Sequence, residues 1–204
     1  MGSYTEFVTH LSSGIPSLAP LANFLKELQP QTKAHSTCSI DYVEVRENGT
    51  GQIQRTSLNH LLGKLRNFLA DTIPETKGLC VLIEDVSPGD IDALGSLLDI
   101  DPRFFCGHTA TNFEEIERYP PTFLMSSLPS SIFAHDFMNF HYQKVIDLGE
   151  HTELRKVPYN LCLAGNSPRA VRRMPALSAR NIGFVRSCFS ILHKNLENER
   201  WICK

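Results

Sequence analysis

Leu79-Cys80-Val81-Leu82-Ile83 is an apolar run that ends in Glu84-Asp85, passes through Val86-Ser87-Pro88-Gly89-Asp90 and continues as Ile91-Asp92-Ala93-Leu94-Gly95-Ser96-Leu97-Leu98. The run is short and bounded by turn residues, which predicts a buried strand. Ser87 followed three residues later by Asp90, with Pro88 between them, is the signature of a capped helix start. Ile91, Leu94, Leu97 and Leu98 then fall on one helical face, and Asp101-Pro102 opens a second short helix. A strand feeding a capped amphipathic helix predicts an α/β fold, a mixed sheet flanked by helices.

The rest of the chain fits that class. Two short helices are expected at about 4–12 and 19–28, followed by a strand over His35 to Arg46, in which Ser39, Asp41, Val43 and Val45 alternate with Ile40, Tyr42 and Glu44. Asn48-Gly49 predicts a turn returning the chain into Gln52-Ile53-Gln54-Arg55. Asn48-Gly49-Thr50 also matches a glycosylation sequon, but without an expected secretory leader the hairpin reading is preferred. Ser57 to Asp71 is the clearest helix, with Leu58, Leu61, Leu62, Leu65, Phe68 and Leu69 on one face. Pro120-Pro121 and Pro129 interrupt the pattern. Residues 137–148 and 153–164 are expected to pair as strands. Ile182 to Leu192 fits helix or strand by pattern alone. At 204 residues and 42% hydrophobic content, residues 1–204 are enough for a single domain with one core.

Composition excludes several classes. No window approaches the roughly 18–20 consecutive apolar residues that span a bilayer. Cys38, Cys80, Cys106, Cys162, Cys188 and Cys203 are scattered without a Cys-x-x-Cys, so they are expected as reduced thiols in a cytoplasmic protein. Met1-Gly2-Ser3-Tyr4-Thr5-Glu6 predicts neither a secretory leader nor myristoylation. Gly49-Thr50-Gly51 lacks the third glycine of a dinucleotide fingerprint, and there is no phosphate-cradling loop or Gly-x-Ser-x-Gly elbow. Two weak catalytic patterns occur. His135-Asp136 with His141 offers two imidazoles and a carboxylate for iron or zinc, and Cys106-Gly107-His108 sets a thiol near an imidazole.

Charge is segregated. Beyond residue 153 lie ten of the 20 Lys and Arg but only Glu197 and Glu199 of the 22 acids, a net +8 against −10 for the rest. Such a chain suits head-to-tail homo-oligomers or an anionic small molecule held by the basic part, unless the two blocks neutralise each other on one surface. Arg169, Arg172 and Arg173 follow Gly165-Asn166-Ser167-Pro168, a turn sequence, so they are expected on a loop where guanidinium forks could take phosphate or carboxylate. Nucleic acid is disfavoured by a pI near 6.4 and the lack of a basic motif interleaved with aromatics. Among the acids, Glu84 and Asp85, with Asp90, Asp92, Asp99 and Asp101 nearby, could hold Mg2+ or another hard cation. The alternative is that Asp90 and Asp101 are helix caps, with Asp92 and Asp99 on a solvated helix face.

The order strand, Ile83-Glu84-Asp85, Ser87-Pro88, amphipathic helix, Leu98-Asp99-Ile100-Asp101-Pro102-Arg103-Phe104-Phe105 resembles the cytosolic N-terminal domain of CorA-type divalent-cation transporters, especially the fungal CorA-like group. Weaker similarity continues through Glu117-Arg118-Tyr119-Pro120, through His141 to Asp147, and from Ala179-Arg180-Asn181 to Trp201, so that it covers about 77–204. The resemblance implies a CorA N-terminal-domain-like α/β fold, and it favours strand for Ile182 to Leu192. It also implies a role in divalent-cation sensing or protein interaction. The two long membrane helices and the Gly-Met-Asn pore signature of the transporters do not occur here, so this chain is not expected to transport by itself. In the bacterial transporters an acid after the Pro-containing turn helps hold a regulatory magnesium. Phe104-Phe105-Cys106-Gly107-His108 has none at that place. Trp201-Ile202-Cys203-Lys204 reads as the start of a strand, which suits a piece of a longer protein or a short natural form. The competing expectation is an enzyme of fungal small-molecule biosynthesis reusing the scaffold, with an anionic substrate at Arg169, Arg172 and Arg173.

Overall fold

In the computed structural model, the residues described are 2–26, 38–70, 76–109, 135–148, 159–161, 169–173 and 181–204. Helix α1 (Tyr4–Gly14) leads through a 3-10 turn at Pro16–Leu18 into α2 (Ala19–Lys26). Strand β1 (Ser39–Arg46) turns through β2 (Gly49–Thr50) and β3 (Gln54–Thr56), and both pair antiparallel with it, as the Asn48-Gly49 turn predicts. Gly49 takes φ 129, a backbone state that a residue with a Cβ rarely adopts. Helix α3 (Leu58–Leu69), strand β4 (Thr76–Glu84), α4 (Pro88–Leu98) and α5 (Pro102–Thr109) follow. Then come β5 (Phe137–Asp147), β6 (Tyr159–Leu161), β7 (Arg169–Arg173), β8 (Ile182–Asn195) and β9 (Trp201–Cys203).

The nine strands form one mixed sheet in the order β2-β1-β4-β9-β8-β7-β6, with β3 also on β1 and β5 also on β8. Among the described strands only β4 and β9 run parallel. The α/β expectation holds. Residues 137–148 do form a strand, but its partner is β8, in an unbroken antiparallel register from Phe137↔Leu192 to Asp147↔Ile182. Among the described residues the expected pairing with 153–164 is not made. Of that segment, Tyr159–Leu161 pairs with β7, and 153–158 and 162–164 lie outside the described residues. Eleven register pairs join β5 to β8, so a distant partner wins over the neighbour in sequence.

One face of the sheet carries the core. Ile40 and Tyr42 of β1, Leu79 and Val81 of β4, Ile202 of β9 and Leu192 of β8 pack with Leu61, Leu65 and Phe68 of α3, Ile91 and Leu94 of α4, and Phe104 and Phe105 of α5. Each fully buried leucine here contributes about 1.5–3 kcal/mol. The α4 start is built as its sequence predicts. Asp90 accepts the Ser87 backbone N–H at 2.8 Å, and the Ser87 hydroxyl takes the Asp90 N–H at 3.3 Å. Ser3 and Glu6 form the same reciprocal cap on α1. Gly95 lets α1 lie close to α4, because a Cβ there would sit 2.7 Å from the Tyr4 ring.

Asp92 departs from its expected solvated position. It accepts hydrogen bonds from the Thr5 N–H at 2.7 Å and the Thr5 hydroxyl at 2.6 Å, so it ties α4 to the first turn of α1. Asp101 does act as a cap, accepting the Arg103 N–H at 2.8 Å.

Candidate functional site

Strand alternation gives the sheet two unlike faces. No described helix covers the face opposite the core. That open face carries Cys80 and Leu82 from β4, Trp201 and Cys203 from β9, and Phe189, Ile191 and His193 from β8. Met138, Phe140 and Tyr142 of β5 extend it. Leu82 is 52% exposed, Tyr142 51% and Phe189 50%. The Phe140 and Phe189 rings stack at 6.4 Å in directly opposed positions. Near the far end, Val171 and Val185 are buried together with Leu148.

The core-side face turns polar along β5 and β8, beyond Phe137 and Leu192. The Ser190 hydroxyl donates to Asn139 Oδ1 at 2.5 Å and lies 2.8 Å from His108 Nδ1 of α5. With the hydroxyl proton directed to Asn139, His108 Nδ1 is assigned as the donor to Ser190. Arg186 Nε donates to His141 Nδ1 at 3.3 Å, which leaves the neutral ring proton on Nε2, 4.0 Å from Cys188 Sγ. Burial first, then the Arg186 charge, pushes the His141 pKa down to about 4. Burial likewise raises the Cys188 thiol. Neither imidazole is therefore set as a base to the adjacent hydroxyl or thiol. The strip reads as a satisfied polar network.

The two catalytic patterns read from sequence are not assembled. His135 stacks on Phe137 at 5.3 Å, ahead of β5, while His141 lies six residues further along, facing Arg186 and Cys188. Cys106 is buried, with its thiol directed to the Ser17 carbonyl at 3.1 Å, and His108 reaches Ser190 instead.

Glu84 ends β4, exposed, opposite Ser39, and Asp85 follows it at φ 55. Among the described residues no three His, Cys, Asp or Glu side chains are grouped to hold a metal ion. A cleft of about 220 Å³ between the end of α4 and the start of β5 is lined by Asp99, Asp101, Arg103, His135, Asp136 and Lys194. Two of these charges are engaged: Arg103 donates to both carboxylate oxygens of Asp101, and Lys194 Nζ donates to the Leu98 carbonyl at 2.5 Å.

Arg169, Arg172 and Arg173 stand on strand β7, not on the expected loop. Arg172 is in register with Phe184 and Arg173 with Gly183. Strand alternation puts positions 169 and 173 on one face and 172 on the other. Pairing with β6 and β8 makes 169–173 a strand, and Gly165-Asn166-Ser167-Pro168 lies outside the described residues.

Sequence reasoning missed what several cations of the basic quarter do. Arg200 Nη1 donates to the Phe68 carbonyl at 2.6 Å, at the end of α3, with the guanidinium 5.4 Å from the Phe68 ring. Lys194 does the same for α4 through Leu98. Both place positive charge at the negative end of a helix dipole. No short-range sequence signal couples residues 132 and 96 positions apart.

Among the described residues no helix is long and apolar enough to cross a membrane. Comparison of the chain with protein-family models, curated proteins and solved structures finds no match.

Proposed function

We propose that this chain is a non-catalytic α/β interaction domain of CorA-like type that assembles with further copies of itself through the helix-free face of its sheet. The observation that carries the reading is the set of Leu82, Met138, Phe140, Tyr142 and Phe189 on one face, each about half exposed. Clustered exposed apolar side chains of this size mark interaction surfaces. A second copy is the occupant favoured by charge. A chain with net +8 beyond residue 153 and −10 before it offers complementary surfaces to its own kind. Light scattering over a dilution series tests this. Wild type should show a mass above one chain that falls on dilution, and Phe140→Ser with Phe189→Ser should be monomeric with an unchanged melting curve. A monomer at all concentrations sinks the proposal.

Divalent-cation sensing is the companion role. Glu84 and Asp85 leave the same end of β4, and carboxylates of a second copy would complete a Mg2+ site there. Millimolar Mg2+ should then raise the association constant, and Asp85→Asn should remove the effect. An enzyme with an anionic substrate is the competing reading. Its support is the placement of Arg172 beside Phe184 of β8, two residues from Arg186. Binding of phosphate to the monomer, lost in Arg172→Glu, would favour it over assembly.

A further inference from the structure

We propose that Cys80 and Cys203 form a reactive dithiol on the open face of the sheet, which peroxide-class oxidants convert to a cross-strand disulfide and trivalent arsenicals bridge. Cys80 of β4 and Cys203 of β9 are register partners in the parallel pair. Register partners on adjacent strands point to the same face, and such strands lie about 4.8 Å apart. That spacing falls within the roughly 4.4–6.8 Å between Cα atoms that a disulfide needs. Cys80 is exposed and Cys203 partly so. The other described cysteines are engaged elsewhere. Cys106 is buried against Ser17, Cys188 faces Ser190 and His141 on the opposite face, and Cys38 hydrogen-bonds Asp90.

The two thiols divide the work. Cys80 is exposed and Cys203 only partly so, with its thiol raised by burial and then by the neighbouring Cys80, so Cys80 meets the oxidant first. Cys80 Sγ attacks one oxygen of hydrogen peroxide, the O–O bond breaks, and the products are a sulfenic acid and water. Cys203 Sγ then attacks the sulfenic sulfur, an S–S bond forms, the S–O bond breaks, and the oxygen leaves as a second water. Two thiols supply two electrons and two protons, and one peroxide becomes two waters. A dithiol reductant reverses the bridge by exchange. The bridge would staple β4 to β9 beside the Trp201 ring, which lies across Gly78 so closely that a Cβ there would meet it at 2.3 Å.

The test uses the whole reduced chain, treated with one equivalent of hydrogen peroxide, alkylated and digested with trypsin without reduction. The expected product joins peptides 78–103 and 201–204 at a mass about 2 Da below their sum, and dithiothreitol releases them. Phenylarsine oxide should bind the reduced chain one to one, bind Cys38→Ser equally, and fail with Cys80→Ser or Cys203→Ser. Cys80 found as sulfinic acid with Cys203 still alkylatable, or Cys80 joined to another cysteine, overturns the proposal. The wild-type peptide map decides even if a serine variant fails to fold.

Discussion

The ammonium group of Lys204 lies 4.8 Å from the centre of the Phe105 ring and 5.8 Å from that of Phe104, sealed from water. Among the described residues its Nζ has no hydrogen-bond partner. The aromatic faces offer partial compensation, since a desolvated cation over a ring gains about 2 kcal/mol. Burial still dominates and pushes the amine from 10.5 down to about 7, against the opposing pull of Asp90 and Cys38. The unfolded chain therefore binds more protons than the folded one between about pH 7 and 10.5, and stability rises with pH through that window. Below about pH 7 both states are charged and the full cost of burial is felt. Cys38 works in the opposite sense at higher pH. Burial and Asp90 push its thiol from 9.0 up to about 12, so above pH 9 the unfolded state loses its proton first and stability declines. Thermal melts should rise from pH 6 to about pH 9. Lys204→Met should be more stable than wild type at pH 6 and should flatten the rise. A flat wild-type profile would remove Lys204 from the account.

Removing the α4 cap is a sharper test of local structure. Ser87→Ala deletes the acceptor for the Asp90 N–H and a hydroxyl donating to Asp90 Oδ2 at 2.6 Å. The expected loss is about 1 kcal/mol in denaturant unfolding, with an unchanged slope. A loss near zero would mean that the cap is not maintained in solution.

Gly95→Ala should destabilise although alanine favours helix over glycine by about 1 kcal/mol. The added methyl meets the Tyr4 ring, whose hydroxyl is anchored to the Ile100 carbonyl at 2.9 Å, and overpacking costs about 1–3 kcal/mol. In a Tyr4→Leu background the same substitution should be neutral or stabilising. Equal effects in both backgrounds would contradict the contact.

Glu44 supplies an acid-side prediction. It is buried on the core side of β1, with Lys64 of α3 bonded to one oxygen and Arg46 at 3.0 Å from the other. The Lys64 hydrogen bond holds its pKa below the usual carboxylate range, with burial opposing and Arg46 assisting. A depressed carboxylate pKa gives stability that is present above the unfolded value and lost as pH falls through the folded one. Glu44→Gln should cost about 1–3 kcal/mol at pH 7 and less at pH 3. An equal cost at both values would show that the charge is not involved.

Local signals in the sequence reached the local structure. Ser87-Pro88-Gly89-Asp90 announced the α4 cap, Asn48-Gly49 the β1 hairpin, and the spacing of Leu61, Leu65 and Phe68 the buried face of α3. Pairing across long separations was not legible. Nothing near residue 137 points to Leu192 as its register partner, and the turn residues before Arg169 gave no sign that β6 and β8 would take up the following five as a strand. The site was obscured for the same reason. Asp92 reads as a surface acid until Thr5 is brought to it, and Cys80 and Cys203 are 123 positions apart until β9 lies beside β4.

Sedimentation velocity tests the central claim, assembly through the open sheet face, most directly. At about 0.1 M salt, where charges act over roughly 10 Å, wild type should sediment as a dimer or larger species at high concentration and shift towards monomer on dilution. At about 1 M salt, where the range falls to roughly 3 Å, the association should weaken without vanishing, because the apolar contact of Phe140 and Phe189 persists. Phe140→Ser with Phe189→Ser should sediment as a monomer in both. A wild-type chain that is monomeric at every concentration and salt, or a double variant that associates as wild type does, would contradict the account.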